Sequence, residues 1–94
     1  MKLICSLLAQ STASPDRFMS FEEPESKRVW ELYASGVLKE IYLRADTIPK
    51  GSASLHRAVI VLECGSQAEA ESAINSLPMV KAGLFDMNYM QLGE

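Results

Sequence analysis

The alternation of apolar and polar residues along the chain predicts four strands and two helices. Residues 2–9 and 57–64 are short apolar runs, and residues 37–46 and 84–92 alternate with a period of two, as strands do. Residues 29–33 and 70–77 carry apolar side chains three and four positions apart, which is typical of a helix that buries one face. The predicted order is strand, helix, strand, strand, helix, strand.

The first helix has two possible starting points. Ser20 and Glu23 have the spacing of a capping box, and Pro24 suits a first turn. The helix could also begin several residues earlier, near Pro15. Gly36 is expected to end it as a C-terminal cap.

The second helix has clearer limits. Ser66 and Glu69 repeat the capping-box spacing directly before the apolar stripe. Pro78 is expected to end this helix, and Gly83 marks a turn before the last strand.

The segment of residues 37–46 divides its side chains between two faces. One face is expected to pack against the helices and carries Val37, Lys39, Ile41, Leu43 and Ala45. The other is polar and aromatic, suits a cavity or a wet interface, and carries Leu38, Glu40, Tyr42, Arg44 and Asp46. In the last strand, one face is expected to hold Phe85, Met87 and Tyr89, and the other Asp86, Asn88 and Met90.

These elements predict an α+β fold of the ferredoxin-like kind, in one domain spanning residues 1–94. Its four-stranded antiparallel sheet would carry both helices on one face and leave the other face bare. The chain is 48% hydrophobic, which is generous for 94 residues. Both features predict that two copies pair through their bare faces to form a dimeric α+β barrel.

The charge and the cysteine content indicate which partners and which kinds of site are not expected. The net charge is −3 and no segment concentrates Lys or Arg, so nucleic acid and anionic membranes are not expected partners. No apolar run approaches the roughly 20 residues of a membrane helix, and a cytoplasmic protein is expected. Cys5 and Cys64 lie in apolar runs, which indicates buried free thiols, with a disulfide between neighbouring strands as the alternative. No motif for a metal or a cofactor is present in the sequence, so none is expected.

Residues 58–92, AVIVLECGSQAEAESAINSLPMVKAGLFDMNYMQL, resemble the C-terminal half of the YCII-related family. The matching words are GSQAEA at 65–70 and LPMVKAGLF at 77–85, and the LP pair is also similar to muconolactone isomerase and its relatives. Both groups share the dimeric α+β barrel fold, so the resemblance implies that fold. The sequence departs from the YCII pattern at its proposed catalytic pair, because Leu77 replaces the Asp before Pro78 and the first helix has no His. The His–Asp hydrolase chemistry of that family is therefore not expected.

Arg44 and Tyr42 are the first two candidates for chemistry. A guanidinium is a planar bidentate donor, so Arg44 could clamp a carboxylate or stabilise an enolate. Tyr42 would share its face and could donate or relay a proton. Alternatively, Arg44 pairs with Glu40 or Asp86, and Tyr42 packs in the dimer core.

His56 and Asp86 complete the candidate set. His56 is the one histidine of the chain, in the loop before the third strand, and could shuttle a proton near neutral pH or simply be solvated. Asp86 could act as a general base if burial raised its pKa, or it could pair with Arg44 or Arg57.

Three functions remain open at this level. The first is a cofactor-free enzyme that isomerises a small oxygenated, aromatic-derived or lactone metabolite by proton transfer, as the muconolactone isomerase resemblance implies. The second is a cofactor-free monooxygenase or dehydrochlorinase activity. The third is a non-catalytic ligand-binding or assembly module, because one fold supports many functions.

Overall fold

The two most apolar strands lie at the centre of one antiparallel sheet. The computed structural model describes residues 1–10, 14–45 and 56–93. Its strands are β1 (Lys2–Ala9), β2 (Leu38–Leu43), β3 (His56–Glu63) and β4 (Phe85–Leu92). They lie in the order β2-β3-β1-β4, and each is antiparallel to its neighbours. The predicted sheet is confirmed, while Asp46 and the predicted loop that follows it lie outside the described residues up to position 55.

Each half of the chain contributes a strand, a helical connection and a second strand. The helices are α1 (Pro15–Ser20), α2 (Glu22–Ala34), α3 (Gln67–Asn75) and α4 (Pro78–Lys81). They cover one face of the sheet, as the ferredoxin-like βαββαβ prediction required. Across the part of the chain that is described, every helix is too short or too polar to span a membrane.

The first helical connection begins at the earlier of the two predicted sites. Ser14 caps α1, because its hydroxyl accepts a hydrogen bond from the Arg17 N–H at 3.4 Å. The capping box predicted at Ser20 and Glu23 is wrong: the Ser20 hydroxyl donates to the Arg17 carbonyl, and α2 starts at Glu22 after Phe21, which provides no side-chain cap. The spacing of residues near Ser20 could not show where the first helical segment begins, because α1 and α2 are separated by a single residue and position 20 already belongs to a helix.

The second capping box is confirmed. The Ser66 hydroxyl accepts a hydrogen bond from the Glu69 N–H at 3.2 Å, and the Glu69 carboxylate accepts one from the Gly65 N–H at 2.8 Å. Pro78 does follow the end of α3, but it also occupies the first turn of α4, a helix that the sequence analysis missed. A proline suits both positions because it lacks the N–H that a helix start leaves unpaired.

Two glycines end the helical layers. Gly36 has φ 84°, and the next residue, Val37, donates its N–H to the Leu32 carbonyl at 3.2 Å. Gly83 has φ 75°, and Leu84 donates to the Met79 carbonyl at 3.1 Å. Both ends are the glycine caps that satisfy the last carbonyls of a helix.

The core lies between the sheet and the helices. Strand residues Leu3, Cys5, Ile60 and Leu62 are at most 1% exposed. The helical layer and its ends complete the core with Leu32, Ala70, Ile74, Leu77 and Leu84.

A bulge in β2 changes the predicted division of its side chains. Leu38 pairs with Leu62 and Glu40 with Val61, so Lys39 is an extra residue on the β2 side. Leu38 therefore belongs to the core and is 2% exposed, which corrects its predicted place on the bare face. Ile41 stays on the helix side, as predicted, opposite Ile60.

The opposite face of the sheet is open and mixed in character. Its apolar members, most of them half-buried, are Ile4, Leu8, Val59, Val61, Met90 and Leu92. Its polar members include Ser6, Glu40, Tyr42, Asp86 and Asn88. The predicted faces of β4 are confirmed, because Phe85, Met87 and Tyr89 pair with Ala9, Leu7 and Cys5 on the helix side.

Candidate functional site: a cleft between helix α2 and the sheet

A cleft with a volume of about 590 Å³ opens between α2 and the strands beneath it. The sheet contributes Leu7, Ile41, Leu43, Ala58 and Phe85, and the helices contribute Phe18, Val29, Trp30 and Met79. A smaller groove of about 380 Å³ adjoins it and shares Val29, Trp30 and Ile41. The size and the mostly apolar walls suit a small-molecule ligand. The cleft lies on the helix face of the sheet, whereas the alternation of residues 37–46 predicts a cavity on the open face.

Glu25 places a carboxylate in the wall of this cleft. Its Oε1 accepts a hydrogen bond from the Met79 N–H at 3.0 Å. Burial raises the pKa of Glu25 above its ordinary value of 4.5, and the hydrogen bond from Met79 offsets this only in part. A carboxyl group whose pKa moves toward neutrality can both remove and return a proton, so Glu25 is suited to acid–base chemistry.

Arg44 and Arg57 line the strand side of the same cleft. They are neighbours across β2 and β3, because the Arg44 N–H donates to the Arg57 carbonyl at 2.8 Å. The Arg57 guanidinium carbon lies 5.3 Å from the centroid of the Phe18 ring, in the range of a cation–π contact. The cleft thus combines a partly buried carboxylate with two guanidinium donors.

The structure does not bring Arg44 and Tyr42, which the sequence placed together, into one site. Arg44 lines the cleft, since β2 ends at Leu43 and alternation no longer fixes a side chain beyond the strand. Tyr42 is on the open face, 59% exposed, and its hydroxyl donates to the Glu40 carboxylate. That hydrogen bond and the charge of Glu40 raise the pKa of Tyr42. The cleft therefore includes Arg44 but not Tyr42, and a joint role for the two residues stays a prediction.

The structure places His56 in a strand and Asp86 away from the cleft. His56 is the first residue of β3 rather than part of the loop before it, and its side chain lies outside the described residues. Asp86 is exposed on the open face, where its carboxylate accepts a hydrogen bond from Gln10. Tyr42 and Asp86 are on opposite edge strands, about 14 Å apart at the usual strand spacing. Arg44, Tyr42 and Asp86 therefore do not form one cluster, and catalytic roles for Tyr42, His56 and Asp86 remain predictions.

Glu25 was not among the predicted site residues, although the sequence contains a signal for it. Phe21, Glu25, Val29 and Leu32 follow one another at helical spacing, so the carboxylate occupies an apolar stripe. A charged residue in such a stripe is either paired or placed for chemistry. Arg57 gave a weaker signal, because it stands at the end of an apolar run where a solvated charge is ordinary.

The two cysteines are buried and free, as predicted from their apolar surroundings. Burial raises the pKa of Cys5 to about 11, and the neighbouring Tyr89 hydroxyl offsets this in part. Burial also raises the pKa of Cys64. Thiols held in the protonated form are poor nucleophiles, so neither cysteine adds to the candidate site. Among the described residues, no group of three or more His, Cys, Asp and Glu side chains is placed to hold a metal ion.

Comparison with known proteins identifies the fold. No protein-family model matches the chain, and no curated protein matches its sequence. Solved structures do match, among them the 5-chloro-2-hydroxyhydroquinone dehydrochlorinase TftG from Burkholderia phenoliruptrix AC1100, in complex with 2,5-dihydroxybenzoquinone. That structure superposes with a TM-score of 0.75 over 100% of this chain and 95% of its own, at 18% sequence identity. The protein therefore shares the fold of that structure, which agrees with the predicted α+β, ferredoxin-like arrangement of a four-stranded antiparallel sheet with helices on one face.

Proposed function

We propose that the protein is a cofactor-free enzyme that binds a small oxygenated, aromatic-derived or lactone metabolite in the cleft under α2 and moves a proton on it. The observation that carries this proposal is Glu25, a partly buried carboxylate whose pKa is raised, in an apolar cleft that also contains Arg44 and Arg57. Proton transfer at carbon needs a base of moderate strength and a stabiliser for the oxyanion that forms, and these residues supply both.

The proposed reaction is an isomerisation through an enolate. The Glu25 carboxylate removes a proton from a carbon next to a carbonyl group, and the electron pair of that C–H bond moves onto the carbonyl oxygen. Arg44, a candidate from the sequence, stabilises the resulting oxyanion together with Arg57. The Glu25 carboxylic acid then returns the proton to a different carbon, which restores the carboxylate and yields the isomer. The muconolactone isomerase resemblance at LP, residues 77 and 78, supports this form of the proposal.

A dehydrochlorination is the second candidate, and the fold favours it equally. The dehydrochlorinase of the same fold acts, by its name, on a chlorinated hydroquinone. Loss of HCl starts with the same removal of a proton by a base, after which the electron pair expels chloride. The two reactions differ in a single readout, because only the second releases chloride into solution. A cofactor-free monooxygenase and a non-catalytic binding module are the remaining alternatives.

The experiment combines ligand binding with proton exchange. A thermal-shift screen against lactones, catechol-derived acids and phenols should find ligands that raise Tm by mass action. In D2O, NMR should then show exchange of a carbon-bound proton of the ligand, and Glu25→Gln should lower the exchange rate by about 10²–10⁴-fold while the thermal shift is retained. Glu23→Gln, an exposed carboxylate on the same helix, is the matched control and should exchange like the wild type.

Two outcomes would contradict this proposal. Equal exchange rates in Glu25→Gln and Glu23→Gln would leave Glu25 with only its structural contact to the Met79 N–H. Binding without exchange in the wild type would favour a ligand-binding module instead.

We also propose that two copies associate through the open face of the sheet. The apolar side chains there include Ile4, Val59 and Val61, which sit on the two central strands and are only half-buried. A second copy would cover them as one sheet covers another. Light scattering at micromolar concentration should give the mass of a dimer or a multiple of dimers, and Val61→Glu should give a monomer. A monomeric wild type at that concentration would refute the association.

A further inference from the structure

The cleft is electrically polarised between its two sides. Arg44 and Arg57 bring two positive charges to the strand side. Glu22 and Glu25, one turn apart on α2, bring two carboxyl groups to the helix side. A charged ligand in this cleft is oriented by the charges of its walls, because the two sides carry groups of opposite sign. A negative group is drawn to the strand side and away from the helix.

Arg57 is exposed to solvent, but aromatic side chains support its guanidinium. Its guanidinium lies over the Phe18 ring, and Phe18 in turn packs against Phe85, with ring centroids 5.3 Å apart and a tilt of 54°. Phe85 is a core residue, 9% exposed, at the start of β4. The guanidinium of Arg57 therefore lies over one half-buried ring, which packs in turn against a core residue. A donor held in place before a ligand arrives loses less conformational entropy on binding.

We infer that the substrate carries an anionic oxygen group, a carboxylate, a phenolate or an enolate, and that Arg57, positioned by Phe18, selects for it at the strand side of the cleft. This inference rests on the proposed function, since it assigns the substrate class of the same cleft. It adds Arg57 as the residue that decides charge selectivity and Phe18 as a positioning residue. The part of the ligand that loses or gains a proton then faces Glu25, on the opposite side.

The test compares two probes of nearly equal size, 4-hydroxybenzoate and 4-hydroxybenzamide, of which only the first is an anion. Trp30 lines the cleft and is the one tryptophan of the chain, so its fluorescence reports binding of either probe. The wild type should bind the anion at least about tenfold more tightly than the amide. Arg57→Gln should greatly reduce that preference, with Arg44 accounting for what remains, while Lys27→Gln, which removes an exposed cation outside the cleft, should leave it unchanged.

Phe18 variants separate positioning from simple packing. Phe18→Leu keeps an apolar side chain but removes the ring face, and should weaken binding of the anion about two- to fivefold more than binding of the amide. Phe18→Tyr keeps the ring face and should restore the wild-type preference. A purely structural role for Phe18 predicts that both probes weaken by the same factor.

The possible failures can be told apart. Equal affinity of the wild type for both probes, or an intact preference in Arg57→Gln, would overturn this inference and leave proton transfer by Glu25 standing. An intact preference with no proton exchange would overturn the proposed reaction and leave the charge selectivity standing. Failure of both probes to bind would overturn the inference and the proposed cleft together.

Discussion

Helices α2 and α3 occupy equivalent places in the two halves of the fold, yet they meet the sheet very differently. Helix α3 buries Ala70 and Ile74 completely, and Leu77 after it is equally inaccessible. Helix α2 is four residues longer but buries only Leu32. Trp30 of α2 remains 69% exposed, and the cleft opens beneath that helix.

The side chains explain this difference. The stripe of α3 contains small alanines, which let a helix backbone approach the sheet closely. The stripe of α2 contains Phe21 and Val29 with the carboxylate of Glu25 between them, so close packing there would strand a charge in the core. Helix α3 therefore packs closely on the sheet, whereas α2 packs less closely and leaves a cleft whose wall contains a carboxylate.

The largest expected effect tests this division directly. Ile74→Ala creates a cavity in the tightly packed half and should lower the free energy of unfolding by about 2–5 kcal/mol. Val29→Ala, in the half-buried wall of the cleft, should cost no more than about 1 kcal/mol, because the space that it opens joins solvent. Urea unfolding followed by circular dichroism measures both. Equal losses in the two variants would mean that α2 packs as firmly as α3, and the contrast would be wrong.

Ligand affinity should depend on Val29 more than on Ile74, which is the reverse of their effects on stability. The same Val29→Ala change alters the cleft wall, whereas Ile74 lies outside it. We therefore expect ligand affinity to change in Val29→Ala and to stay at the wild-type value in Ile74→Ala under conditions where that variant is folded.

The order of the elements and the two faces of β4 could be predicted because periodicity reports burial, and burial is what a strand or a helix stripe must achieve. The ends at Gly36 and Gly83 could be predicted as well, since a positive φ is easily reached only by glycine. The capping box at Ser66 was correct for a similar reason: its hydrogen bonds join residues that are close in sequence.

The candidate site was harder to predict because it depends on contacts between distant residues. A bulge at Lys39 leaves no mark on the alternation of β2, so Leu38 was assigned to the wrong face. Arg44 was correctly singled out, but its neighbours in the cleft, Glu25 and Arg57, come from another helix and another strand. The hydrogen bond between Glu25 and Met79 spans 54 positions, which no local pattern reveals.

The smallest effect that we predict is the pH dependence of stability that Glu25 causes, which tests the contrast between α2 and α3 at one residue. The pKa of Glu25 is raised by burial, so the folded protein holds this proton more tightly than the unfolded chain does. The proton on Glu25 therefore stabilises the folded state at pH values below the ordinary pKa of 4.5, and this stabilisation is lost as the pH rises through the higher pKa of the folded state.

Glu25→Gln cannot titrate, so the Tm of the wild type minus that of the variant should fall as the pH rises from 4 toward neutrality. Ser26→Ala, which removes no charge beside it, should give a difference from the wild type that does not change with pH. A difference that rises with pH for Glu25→Gln would mean that the Met79 N–H stabilises the carboxylate more than burial penalises it, and the case for Glu25 as a base near neutrality would fail.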